Sequence, residues 1–288
     1  YCFYFFHKFC LTSFTIIHVF DMLSSRGMNM RKRLTELFPF LLPIRLWQRN
    51  VWVQLKMRFD GNHYARKREV RLPYLVSKTS VSLLNYQTGA SMEYQYNKVH
   101  NLKLASQMLQ GLIIEPNEVF SFYWSTRNPK KYGDYKEGLV DIDGKLVAKK
   151  GGGVCALTNT LYETFLKSPL HIVERHPHRI KNFPDPKGTL AGCDATIHPG
   201  WLDLKVKNES SNRYQIWITF QKDTMTVSIY SDVSSSLQYE LFNREIIFYE
   251  KDGCSYERAS VDRKVNGVEE HLYDNVTKIT YKPDLLDK

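Results

Sequence analysis

Tyr214-Gln215-Ile216-Trp217-Ile218-Thr219-Phe220 decides the fold class: Tyr214, Ile216, Ile218 and Phe220 alternate with other residues, the period of a strand that buries one face. Segments 195–197, 202–206 and 224–230 read as strands around it, so this part of the chain is expected to form an antiparallel meander. Segments 245–249, 256–265 and 278–281 extend the β character, with Lys251-Asp252-Gly253 and Asn266-Gly267 as turns. Upstream, Leu139-Val140 and Leu146-Val147 flank Asp143-Gly144, a favoured hairpin pair because both positions tolerate positive φ.

Helices are fewer. Over 101–112 the residues Leu102, Ala105, Leu109 and Leu112 share one face, and Gly111 marks the stop. Over 155–167 the residues Leu157, Leu161 and Phe165 recur at intervals of four until Ser168-Pro169 ends the pattern. Between them, 113–122 reads as strand, turn, strand, with Pro116 and Asn117 supplying the turn. Segment 34–57 suggests an amphipathic helix pair broken around Pro39 and Pro43, serving as a packing arm or as a membrane-surface helix through 30–57. The expected class is α+β, with short helices packed on a mainly antiparallel sheet and one helix starting at Gly-Gly-Gly-Val-Cys.

A chain of 288 residues that is 43% hydrophobic can bury a substantial core, which excludes a disordered protein. Forty Lys and Arg against thirty Asp and Glu give +10, a balance that favours anionic partners. The excess sits in Met30-Arg31-Lys32-Arg33 and in 56–71, without a groove-reading helix or an aromatic and basic strand, so no nucleic acid partner is expected. Cys2, Cys10, Cys155, Cys193 and Cys254 show no CxxC spacing, so reduced thiols are expected rather than a disulfide framework or a zinc finger. The apolar run 9–17 is too short to span a bilayer, and no basic stretch precedes it. Residues 1–27 are expected to be an untranslated or non-native leader, with the protein starting at Met28 or Met30. A cytoplasmic location follows from that start, and membrane association or export from the alternative.

Three glycines, Gly151, Gly152 and Gly153, directly before a helix imply positive φ or something that approaches the backbone closely, and so a candidate substrate-binding loop. Cys155 then falls at the helix N-terminus, where unpaired N–H groups and the helix dipole favour a thiolate nucleophile. The same N–H groups could form an oxyanion hole. His176 and His178 alternate around Pro177, so only one can face Cys155 as its base, and Asp194 is placed to orient it. Arg175 could bind an anionic group or pair with neighbouring side chains. Three readings stay open: a Cys, His, Asp nucleophilic site, a buried structural thiol with loop-pinning histidines, and a zinc site from Cys155, Cys193 and one of the two histidines. In the first, Cys155, His176 or His178, and Asp194 form the catalytic set; no metal and no cofactor are expected.

Gly151-Gly152-Gly153-Val154-Cys155, Thr160-Leu161-Tyr162, Glu174-Arg175-His176-Pro177-His178, Gly192-Cys193-Asp194-Ala195-Thr196 and Asp203-Leu204-Lys205-Val206-Lys207-Asn208 resemble, in order and spacing, the successive signatures of the VanW family. Upstream, Phe38-Pro39-Phe40-Leu41-Leu42-Pro43 and Met57-Arg58-Phe59-Asp60-Gly61 extend the likeness, which runs from about residue 30 to 232. It implies a bacterial protein tied to glycopeptide (vancomycin) resistance or cell-envelope work, and it implies no reaction. The family usually has Gln directly after the Cys, where this chain has Ala156. The expected organisation is an N-terminal helical and basic region 28–95, a VanW-like domain 96–232 and a β extension 233–288. The function expected is a thiol enzyme, amidase-like or transpeptidase-like, on peptidoglycan-type amide bonds, or else a non-catalytic scaffold that binds a cell-wall precursor.

Overall fold

The computed structural model describes residues 38–86, 89, 91–142, 144–185 and 189–283. The expected leader 1–27 and Asp143 of the hairpin turn lie outside them. The chain divides into two units, Tyr1–Arg49 and Asn50–Lys288. Of the first unit, the described part is a 3-10 turn, Pro39–Leu41, and the start of helix α1 (Leu42–Phe59), which continues into the second. The break expected at Pro43 is instead a helix start, because a proline in the first turn lacks only an N–H that would have no helical partner.

The second unit is α+β. Its first sheet runs β2 (Tyr74–Ser82), β11 (Thr224–Ser231), β10 (Tyr214–Gln221), β3 (Ile113–Ile114), all antiparallel. The alternation that decides the class is visible in the register: Ile216 opposes Ile229 and Ile218 opposes Val227, all four buried. β2 falls in the segment read as helical and basic. Its inward positions are Ser77 and Thr79 rather than apolar residues, so no hydrophobic alternation marked it. Ser77 Oγ donates instead to the carbonyl of Thr164, 3.0 Å away on helix α4 (Cys155–Leu166), which packs over this sheet.

Helix α2 (Met92–Gln107) begins nine residues before the expected start at 101, because Ser91 caps it by accepting from the Glu93 N–H. A second sheet has the order β1 (His63–Tyr64), β4 (Glu118–Ser121), β9 (Lys205–Lys207), β7 (His171–Glu174). β4 hands over to the short helix α3 (Phe122–Thr126), capped by the Ser121 hydroxyl, which accepts from the Trp124 N–H. Between the two sheets and α4 lies the main core, in which Leu157, Leu161 and Phe165 are fully buried; each such side chain contributes about 1.5–3 kcal/mol of burial.

Two further elements frame the candidate site. The hairpin β5 (Glu137–Ile142) and β6 (Lys145–Lys150) turns at Gly144, with φ +80°, and leads directly to the glycine run. The last sheet has the order β12 (Tyr239–Lys251), β13 (Cys254–Val265), β14 (Val268–Ile279), β8 (Ile180–Lys181). Its turns fall where expected, with Asp252, Gly253, Asn266 and Gly267 all at positive φ. β14 runs from Val268, whereas only 278–281 was expected to be strand. Segment 195–197, also expected as strand, is irregular: its N–H groups go to a side chain and to a loop carbonyl rather than to a ladder.

Candidate functional site

Cys155 is half-buried and is the first residue of α4. Gly151 and Gly153, at φ +80° and +86°, supply the turn that places it there. Gly152 answers a different need. A Cβ on it would lie 2.1 Å from the carbonyl carbon of Gly138, and one on Gly138 would lie 2.5 Å from the Gly152 oxygen. What approaches this glycine is therefore the root of the β5–β6 hairpin. Asn101 on α2 fixes the contact, since its amide nitrogen donates to the carbonyls of Gly152 and Lys136 at 3.0 and 2.9 Å. Its Oδ1 accepts the Lys136 N–H at 2.8 Å.

The stem of Lys98 covers Gly153, and burial lowers its ammonium to about 8. At the helix start the Ala156 N–H donates to Gly153 O and the Leu157 N–H to Val154 O. Two of the groups expected to form an oxyanion hole are thus engaged within the turn.

β7 ends at Glu174 and releases Arg175-His176-Pro177-His178. The two imidazoles take different partners. His176 Nε2 lies 3.0 Å from Glu174 Oε1. His178 donates its N–H to Asp194 Oδ2 at 2.6 Å and sets Nδ1 at 2.5 Å from the same oxygen, and the Cys155 side chain is near enough to act on the charge of the ring. Since Nδ1 is committed to the carboxylate, Nε2 is the nitrogen left for the thiol. The structure brings Cys155, His178 and Asp194 together and turns His176 away.

The electrostatics follow from this contact. Burial works against the His178 imidazolium, but the hydrogen bonds and charges of Asp194 and Cys155 outweigh it and raise the group to about 10. Burial alone would push Asp194 up. The hydrogen bond from His178, its charge and that of Arg175 hold the carboxyl below the usual range.

Arg175, read from sequence as a residue that could meet an anionic group, is turned to the protein. Its Nε donates to Asp194 O at 2.6 Å, and Nη2 to Asp194 Oδ1 at 2.8 Å and Gly192 O at 2.9 Å. Its Nη1 donates to Asn275 Oδ1 at 3.1 Å. The guanidinium lies 5.1 Å from the ring centroids of both Tyr162 and Tyr273, which are themselves 6.2 Å apart. Cys193 is buried, and that burial pushes its thiol well above the usual range. Among the described residues no group of three or more His, Cys, Asp or Glu side chains could hold a metal ion.

Several residues that build the site were not singled out from sequence. Asn159, one turn along α4 from Cys155, accepts the Ala195 N–H on Oδ1 at 2.8 Å, and Thr158 Oγ1 donates to the Ala195 carbonyl at 2.6 Å. The polar run Thr158-Asn159-Thr160 inside the helix was the available signal. Asn101, Tyr273 and Asn275 gave none, because each meets its partner only through the fold.

The sequence has relatives. Over 267 residues the chain is 43% identical to the vancomycin B-type resistance protein VanW of Enterococcus faecalis, covering 89% of this chain and 97% of that protein. The chain belongs to the VanW family. The family described as VanW like protein matches residues 97–230, a span that holds Cys155, His178, Asp194 and Arg175. Tyr273 and Asn275, which hold Arg175, lie beyond it. The chain is also similar to the uncharacterized protein YoaR of Bacillus subtilis, at 28% identity over 170 residues, 57% of this chain and 54% of that protein. No solved structure matches.

Proposed function

We propose that this chain acts in glycopeptide resistance as a thiol enzyme on amide bonds of peptidoglycan or its precursors. The observation that carries the reading is His178, held through Nδ1 by Asp194 with Cys155 near enough to act on its charge. The similarity to the resistance protein of Enterococcus faecalis supports the setting, and the site supports the reaction class.

In this reading the proton of the Cys155 thiol resides on His178, where Asp194 stabilises the imidazolium. The Cys155 sulfur adds to the amide carbonyl carbon, and the tetrahedral intermediate collapses as His178 gives that proton to the leaving nitrogen. A thioester on Cys155 and a free amine result. Water, or the amine of a second strand, then attacks the thioester, giving hydrolysis or transpeptidation. His178 accepts the proton from that nucleophile and returns it to the departing sulfur.

The test is glycopeptide susceptibility of cells carrying the wild-type chain, Cys155→Ser or His178→Ala, with protein levels matched by immunoblot. Loss of resistance in both variants supports the proposal. Full resistance with Cys155→Ser removes it and leaves the scaffold reading.

A further inference from the structure

The catalytic proposal leaves unused a cavity whose wall includes Lys56 and Asp60, Glu174 at the end of β7, Trp201 and Asp203 on the loop before β9, and Lys205 on β9. Every residue that lines it lies within Asn50–Lys288. Trp201 is 59% exposed and is nonetheless fixed. It closes a tight turn in which the Trp201 and Leu202 N–H groups donate to His198 O at 2.9 and 3.0 Å, with Gly200 at φ +72°. The His198 ring meets the indole in a T-shaped contact, with centroids 5.8 Å apart. A large aromatic surface held open to solvent in the wall of a cavity is a platform for a ligand.

The charges of the wall select the kind of ligand. Asp203 turns its carboxylate to the protein: Oδ2 accepts from Ser121 Oγ at 2.5 Å, and Oδ1 accepts the N–H groups of Tyr123 and Leu204 at 2.8 and 2.9 Å. What remains is two cations and two anions, Lys56 and Lys205 against Asp60 and Glu174, with Lys205 Nζ 2.8 Å from Glu174 Oε2. An anionic ligand meets both carboxylates and a cationic one both ammonium groups, so neither gains from the wall as a whole. An apolar ligand strips water from four charged groups and returns no hydrogen bond. A neutral ligand rich in hydroxyls suits both signs, because each hydroxyl can donate to a carboxylate or accept from an ammonium. A pyranose ring completes the match, since its C–H face is flat and apolar, the complement of an indole.

The cavity and the thiol site share one segment. Glu174 lines the cavity and holds the His176 ring at 3.0 Å, and His178, two residues further on, serves Cys155. We propose that this cavity is a glycan subsite, which stacks a neutral N-acetylhexosamine ring on Trp201 and hydrogen-bonds its hydroxyls to Lys56, Asp60, Glu174 and Lys205. The choice of sugar rests on the peptidoglycan reading: the glycan of a wall strand lies at one end of Glu174–His178 while its peptide lies at the other.

The experiment is a calorimetric titration of the full chain with chitotriose, the β-1,4-linked trimer of N-acetylglucosamine. Saturable binding is expected. Trp201→Ala is expected to weaken it about ten-fold and Lys56→Ala by less, with thermal midpoints near wild type because both side chains are exposed. Cys155→Ser is expected to bind as wild type does, since the thiol does not line the cavity. Absence of saturable binding by the wild type overturns the subsite, as does a Trp201→Ala chain that binds as wild type does. Either result leaves the Cys155 reading standing, whereas full resistance with Cys155→Ser removes that reading and leaves the measured sugar binding in place.

Discussion

The Asp194 carboxylate holds His178 twice through one oxygen, taking the backbone N–H at 2.6 Å and the ring Nδ1 at 2.5 Å. Its other oxygen and its carbonyl are tied to Arg175. The imidazole therefore has one orientation, with Nε2 left for Cys155.

Asp194→Asn keeps the shape but replaces the acceptor, so the imidazolium loses its support. Iodoacetamide labelling of Cys155 near neutral pH is expected to slow by at least ~100-fold, the scale of a lost acid and base partner. His176→Ala, whose ring is on Glu174, is expected to label at the wild-type rate. Equal slowing by both substitutions would remove His178 from its role.

The pH dependence of stability has a definite sign. His178 is raised from its ordinary 6.5 to about 10, so its contribution is fully present below about pH 6.5 and is lost as pH rises toward 10. Asp194 is lowered from 3.8, so its contribution is present above that value and lost as pH falls below it. The difference in chemical denaturation between wild type and His178→Gln is expected to be largest between about pH 4 and 6.5. A difference that grows from pH 7 to 10 would contradict the pairing.

Gly152→Ala brings Cβ against the Gly138 backbone, which has no side chain to move aside. A loss of about 3 kcal/mol or more in urea denaturation is expected. Gly253→Ala meets open space and only the cost of positive φ, about 1 kcal/mol. Similar losses at the two positions would mean that the 138–152 contact is not tight.

Arg175→Lys retains a charge but cannot reproduce four directed bonds and the contacts with two aromatic rings. A loss of about 3 kcal/mol is expected, with slower Cys155 alkylation because Asp194 loses its brace. If alkylation is unchanged while stability falls, Arg175 serves the fold alone.

What the sequence determined by itself is local. Alternation in 214–220, the Asn266-Gly267 turn and the four-residue period of Leu157, Leu161 and Phe165 are backbone preferences readable over a few residues, and they gave the α+β class and put Cys155 at a helix start. Regularity failed where burial was polar: β2 was missed because Ser77 and Thr79 face inward and satisfy themselves on α4.

The tertiary structure alone decided the pairing. Which of His176 and His178 faces the thiol depends on whether Glu174 or Asp194 captures each ring, and those carboxylates arrive on separate segments. Whether Arg175 meets an anionic group or neighbouring side chains stays open in the sequence, because a lone arginine carries no record of its partners, and its clamp closes only when Asn275 and Tyr273 come round on β14. Short-range propensity marks regular apolar stretches such as those of α4 and β10. Contacts across a hundred residues of chain depend on which surfaces bury each other, and no local pattern encodes that.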